Sequence, residues 1–273
     1  MSTAEIPNFF VTIPHSGEQV PEEVTWLKGL SEPHLMRDVD RYVDRLYAPG
    51  IQQHNVFSIQ TPWHRYVVDL NRLPGDIDED SVIGAPHESG AFTTGLHWVN
   101  TTQGEPLITT PMSMELHQQL VDQYHRPFHA QVETHYSQCF AKTPGTKMYQ
   151  LDAHSMPSWG TEAHRDPGQQ RPQIVVSDFH GASCEPQYKD LVIAAYEAAG
   201  FQVAYNFPYV GGRVTQLYGK PDQNQHCIQV EMRRDLYMNE DTKALEASSK
   251  GVSEKVSKAL GLIIEGIRSF NEG

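Results

Sequence analysis

The apolar run Phe9-Phe10-Val11-Thr12-Ile13-Pro14 delivers His15 at its end, with Glu18 three residues further on. A second β-prone run, Lys147 to Asp152, ends the same way in Ala153-His154-Ser155. Open α/β sheets bind ligands at the carboxyl ends of their strands, and a hydrolytic zinc takes three protein ligands with a fourth position left for water. His15 and His154 are therefore the first two candidate ligands. The third is either Glu18, in His-x-x-Glu spacing, or Asp40, from the acidic segment Arg37-Asp38-Val39-Asp40-Arg41-Tyr42-Val43-Asp44, which is expected to be helical. The competing roles are a solvated turn for Glu18, and helix N-terminal charges or surface pairs with Arg41 and Arg45 for the three aspartates.

Three further groups suit hydrolytic chemistry. Glu231 ends the apolar run Cys227 to Glu231, so it is expected to sit partly buried in a cleft, where it can act as a general base toward water and then as an acid toward a leaving amine. The adjacent pair Asn71-Arg72 follows the strand-like run Arg65 to Leu70. Its guanidinium fork and amide can clamp a carboxylate, with Asp69 expected to orient Arg72. Arg213, after Gly211-Gly212, is a second cation able to reach a substrate acid group. His125 and His129 have the i, i+4 spacing of a zincin pair, but no glutamate follows the first and Pro127 lies between them, so that motif is rejected. His129 is expected instead to face the cleft, as a substrate group or a support behind one. His180 is expected to line the site from another strand end. Cys184 has no neighbour that would activate a thiolate.

The elements that must position these groups alternate along the chain. Strand-like runs cover 9–13, 56–60, 65–70, 147–152, 173–178, 201–205 and 227–231. Several are short and wholly apolar, as strands buried on both faces are. A helix over 191–199 closes at Gly200 and makes a β-α-β unit with its neighbours. Leu116, Leu120, Tyr124, Phe128, Val132, Tyr136 and Phe140 recur every fourth residue and predict one helix over 114–140, kinked at Pro127. A last helix is expected over 253–270. Residues 74–111 lose this periodicity and read as a loop excursion within a single α/β domain spanning 1–273.

The net charge of −13 argues against nucleic acid as a partner, although a local arginine can still hold a small acid. No apolar run approaches the roughly 20 residues needed to cross a bilayer. A basic N-terminal segment leading into an apolar one is absent, and Cys139, Cys184 and Cys227 cannot close a disulfide framework. A cytoplasmic location is expected. No dinucleotide or phosphate-loop motif is present, and fourteen histidines justify the search for a metal.

Taken in order, several stretches resemble the N-formylglutamate amidohydrolase family. They are Pro14-His15-Ser16-Gly17, Asp38-x-Asp40 with Val43-Asp44-Arg45-Leu46-Tyr47, and Arg65-Tyr66-Val67-Val68-Asp69-Leu70-Asn71-Arg72. The series continues through Tyr124-x-x-Pro127-Phe128-His129, Asp152-Ala153-His154-Ser155, Gly181-Ala182-Ser183-Cys184, Gly211-Gly212, Tyr218-Gly219 and Gln229-Val230-Glu231. The resemblance implies a zinc exopeptidase-like fold, a three-layer α/β/α sandwich around a mixed, largely parallel sheet. It implies one zinc held by His15, His154 and an acidic third ligand, Glu231 as the catalytic carboxylate, and Asn71-Arg72 as a carboxylate clamp. The wider aspartoacylase-like group points to Glu18 as third ligand. Family members that lack a glutamate there but keep the Asp40 position point to Asp40.

The implied reaction cleaves the N-formyl or N-acyl amide of a small acidic amino acid, N-formyl-L-glutamate first, to formate and glutamate. A carboxypeptidase or another N-acyl-amino-acid deacylase is the alternative on the same scaffold, and a non-catalytic metabolite-binding relative the second. The departures at Asp178-Phe179-His180 and in the 74–111 loop bear on the substrate more than on the reaction. Other divalent ions suit the same donors.

Overall fold

In a computed structural model, which describes residues 8–162 and 164–271, six strands form one sheet: β1 (Phe9–Ile13), β2 (Phe57–Gln60), β3 (Met148–Met156), β4 (Ile174–Ser177), β5 (Val203–Tyr205) and β6 (Gln225–Arg233). Their order is β2-β1-β3-β6-β4-β5, parallel throughout except where β4 runs antiparallel to β6. The helices are α1 (Glu32–Leu35), α2 (Val43–Gln53), α3 (Met114–Leu120), α4 (Arg126–Lys142), α5 (Pro186–Ala198), α6 (Arg213–Tyr218) and α7 (Ser249–Asn271).

Strand side chains alternate between faces, and this period of two builds two cores. Phe9, Val11, Ile13, Tyr149, Leu151, Ala153, Ile228, Val230 and Met232 face one layer, where α7 packs on α2 and α5. Phe10, Met148 and Cys227 face the other, with Val121, Phe128, Val132 and Tyr136 of the 114–142 helical segment and Val214 and Tyr218 of α6. The result is the expected three-layer arrangement. Toward the carboxyl ends of β1, β3 and β6 the second face turns polar, presenting Thr12, Asp152, His154, Gln229 and Glu231, all buried. Register aligns Thr12 with Asp152, Asp152 with Gln229, and His154 with Glu231.

Three sequence expectations are corrected. Residues 65–70 form turns rather than a strand. Their run of apolar residues reflects burial of Tyr66, Val67, Val68 and Leu70 inside the second core, and side chains take up much of their backbone hydrogen bonding. The 114–140 helix is present and runs on to Lys142, but it is not α-helical throughout: a π-helical turn, Val121–His125, lies between α3 and α4. Pro127 comes just after that turn, and the wider hydrogen bonding there, Arg126 N–H to Val121 O, accommodates the N–H that proline cannot supply to a running helix. The Arg37–Asp44 segment is mostly turn, with Tyr42 at φ 70°, and Asp38 and Asp40 are buried rather than exposed on a helix.

Residues 74–111 contain neither helix nor strand. Isolated bridges such as Asp78 to His87 and Thr94 to Trp98 stitch them together, and Ile77, Val82, Leu96, Trp98 and Leu107 anchor them in the second core.

Candidate metal centre and cleft

His15 leaves β1 directly after Pro14, and His154 lies on β3 with Asp152 two residues before it on the same face. The turn between α1 and α2 brings Asp40 to both. Asp40 Oδ2 lies 3.0 Å from His154 Nδ1 and 3.5 Å from His15 Nδ1. The opposite ring nitrogens are committed elsewhere: His15 Nε2 donates to Asp69 Oδ1 at 2.8 Å, and His154 Nε2 to Asp152 Oδ2 at 2.8 Å. A carboxylate behind each imidazole fixes its orientation and turns Nδ1 toward Asp40 as the atom that could ligate a metal, a pattern common behind metal-bound histidines.

Asp40 is oriented in the same manner. Its Oδ1 accepts from Ser155 Oγ at 3.0 Å and from Arg234 Nη2 at 3.1 Å, which leaves Oδ2 for the histidines. Burial would raise the Asp40 carboxyl, but the two imidazoles beside it, His15 and His154, outweigh that and hold it well below the usual carboxylate range. His154 is raised well above its ordinary value. Burial opposes this, and Asp152, then Asp40, overcome it. His15, Asp40 and His154 are fully buried, and their ligand atoms lie within 4.8 Å of one another. His15 Nδ1 is buried with no hydrogen-bond partner, a costly state for a polar atom unless something else binds it. Two imidazoles and a carboxylate converging on one point fit a divalent ion such as zinc.

Glu18 is placed apart from this group. It pairs with Arg41 at 2.9 Å, and Arg41 also reaches Glu32, so Glu18 belongs to a partly exposed ion-pair cluster. Asp38 accepts from Tyr66 and Thr102 and so ties down the 102 turn.

Glu231 stands beside His154 in register and accepts from Gln229 Nε2 at 2.8 Å. Burial pushes its carboxyl up to about 7, against the pull of His154. Gln229 Oε1 in turn accepts from Gly212 N at 2.7 Å.

These groups line a cleft of about 370 Å³, walled by Asn71, Arg72, Thr94, Trp98, Pro157, Tyr209 and Gly212 among others. A larger groove of about 790 Å³ between α2 and α7 holds none of them. Arg72 is held by two backbone carbonyls, Thr94 O and Asn71 O, each at 2.9 Å. Asp69 does not orient it by a direct bond; it accepts instead from His15, Arg65, Trp98 and the Asn71 N–H. Asn71 Oδ1 accepts from Val214 N at the start of α6. Its amide occupies the space a Cβ on Gly212 would need, 2.1 Å from Asn71 Nδ2. Arg213 lines an adjoining cavity of about 350 Å³ that shares Arg72, Thr94, Gly211 and Gly212 with the cleft, and it lies 3.4 Å from Asp76.

His129 lies behind the cleft wall, bonded to Leu70 O and Tyr218. His180 is exposed at φ 58° and is not part of the cleft lining.

The supporting residues Asp69, Asp152, Arg65, Ser155, Arg234 and Gln229 were not singled out for these parts by the sequence. Asp152-x-His154 carried a usable signal, since strand residues two apart share a face. Asp69, a charge set in an apolar run, carried another. Nothing local marked Arg234.

A family model described as N-formylglutamate amidohydrolase matches residues 8–238 of the chain. An N-formylglutamate deformylase of Pseudomonas putida is 29% identical over 234 residues, covering 84% of this chain and 81% of that protein. One of Pseudomonas aeruginosa is also 29% identical over 234 residues, covering 84% and 82%. The crystal structure of an N-formylglutamate amidohydrolase from Ralstonia eutropha JMP134 matches with a TM-score of 0.87 at 25% identity, covering 98% of this chain and 96% of that one. A gene product of Agrobacterium tumefaciens shares the fold, with a TM-score of 0.69 at 18% identity over 97% and 92% of the two chains.

Proposed function

Because this chain belongs to the N-formylglutamate amidohydrolase family, we propose that it hydrolyses N-formyl-L-glutamate, or a close N-acyl relative, to the free amino acid with the help of one zinc ion. The observation that carries this reading is the convergence of His15, His154 and Asp40 beside a buried Glu231 in a cleft that also holds Arg72. Zinc bound by those three residues would supply Lewis acidity, lowering the pKa of water and drawing charge from the amide carbonyl.

The chain's own groups do the rest. Glu231 takes the proton of the attacking water and returns it to the departing amine. Arg72 is free of any carboxylate salt bridge among the described residues, and with Asn71 it holds a substrate carboxylate. Arg213, in the adjoining cavity, suits the second carboxylate of a dicarboxylic substrate. A cleft of about 370 Å³ matches one small amino-acid derivative better than a peptide. His129 acts from behind the wall, and the exposed His180 has no part in binding.

The test is formate release from N-formyl-L-glutamate by chelator-treated protein, before and after zinc is added. Release restored by zinc is the expected result. Tight zinc binding without release would move the substrate to other N-acyl amino acids, and failure to bind metal would remove the catalytic reading.

Asp69 connects this chemistry to stability. Its carboxylate is fully buried between His15 and Arg65, and Asp69→Ala leaves the Arg65 guanidinium without its carboxylate partner. The variant is expected to lose about 3–5 kcal/mol of stability, as buried pairs do when one partner is removed. Zinc affinity should fall by about 10–100-fold as His15 loses its orienting group. Denaturant unfolding and metal titration measure the two effects separately.

A further inference from the structure

The segment Val67–Arg72 carries Asp69, Asn71 and Arg72, yet it has no strand ladder to hold it. Three of its carbonyls are held instead by buried histidines. Val67 O accepts from His97 Nδ1 at 3.0 Å, Leu70 O from His129 Nε2 at 3.0 Å, and Arg72 O from His125 Nε2 at 2.9 Å. All three rings are buried, and none lines the cleft. A carbonyl can only accept, so each facing nitrogen carries the hydrogen and each tautomer is fixed. His129 Nδ1 then accepts from the Tyr218 hydroxyl of α6 at 2.8 Å, and His97 Nε2 from His117 Nδ1 at 3.0 Å. Burial favours the neutral rings this requires, lowering His129 to about 4 and His97 to about 3 and pulling His125 down in the same direction.

The helix that supplies two of these donors is built for the task. The π-helical turn ends at His125 and α4 begins at the next residue, and His125 and His129 lie with ring centroids 4.3 Å apart, tilted by 31°, and bond to carbonyls two residues apart. Wide turns of this kind recur at functional positions.

We propose that His97, His125 and His129 are positioning residues: a clamp on the Val67–Arg72 backbone that sets the Asn71 and Arg72 side chains for the substrate carboxylate. The inference rests on the substrate reading above for what those side chains bind, but not for the clamp itself.

The test compares His125→Leu and His129→Leu with His125→Gln and His129→Gln, in which an amide N–H can replace the ring donor. In the zinc-loaded enzyme the Leu variants are expected to raise KM for N-formyl-L-glutamate about tenfold or more, with kcat within about threefold. The Gln variants should recover most of that loss. Hydrogen exchange of the 67–72 amides should rise in the Leu variants and return toward wild type in the Gln variants. A purely structural role would lower the Tm and leave KM alone. Wild-type KM in the Leu variants, or unchanged exchange at 67–72, overturns the clamp. If the wild-type enzyme releases no formate at all, the substrate reading fails, and the exchange measurement still decides the clamp.

Discussion

Glu231→Gln is expected to lower kcat by about 10³-fold while the protein keeps its metal and its fold. The substitution is nearly isosteric, and the retained carbonyl can still accept from Gln229 Nε2, so packing at the end of β6 has no reason to change. What disappears is the carboxylate that the proposed reaction uses to shuttle the proton. On the proposed mechanism Glu231 works deprotonated, so activity is expected to rise with pH through its pKa. Burial pushes that pKa up to about 7, and a cation bound among His15, Asp40 and His154 would draw it lower. The acid limb of the kcat/KM profile should therefore fall below pH 7 in the wild type and vanish in the variant. Stopped-assay kinetics across pH, together with metal analysis of both proteins, check this. Wild-type turnover in Glu231→Gln would assign the proton shuttle elsewhere.

The second large effect separates the two acidic residues that the sequence left as rivals. Asp40→Asn should remove stoichiometric zinc after dialysis and reduce formate release to background. The amide is a poor zinc ligand, and the loss should exceed the roughly 10–100-fold that removal of an outer partner costs. Glu18→Gln should leave both zinc content and kcat within about twofold of wild type, because the Glu18 carboxylate is paired with Arg41, and exposed pairs contribute little. Calorimetric zinc titration of the two variants decides the matter. If Glu18→Gln loses the metal and Asp40→Asn keeps it, the ligand set proposed for this cleft is wrong.

Much of the scaffold was legible because it depends on periods of two and four along the chain. Phe9, Val11 and Ile13 alternate with Phe10 and Thr12, so the two faces of β1, one wholly apolar and one turning polar at Thr12, are readable without a structure. The same alternation puts Asp152 with His154, and Gln229 with Glu231, on one side of the sheet. Where tertiary contacts replaced local pattern, legibility failed. The 65–70 run reads as a strand because buried turns are as apolar as buried strands, and only donors from distant residues, His97 and His129, distinguish them. The approach of Asp40 to His15 and His154 depends on the 36–42 turn, with Tyr42 at positive φ, and no spacing rule encodes it. Arg234 was unreadable as the residue that orients Asp40, because its side chain reaches back across 194 positions in sequence.

The antiparallel strand β4 lies next to β6 on the side away from β3, so His15, His154 and Glu231 all come from the uninterrupted parallel part of the sheet. Asn71, Arg72 and Arg213 come from connecting segments and a short helix. On the proposed reading, the groups that break the bond thus rest mainly on the sheet, with Asp40 alone brought in by a turn, and the groups that choose the molecule rest on connections. Connections tolerate insertion and exchange far better than paired strands do. If those roles hold, a lineage built on this plan can change its diet by rewriting loops, while the bond it cuts remains the same.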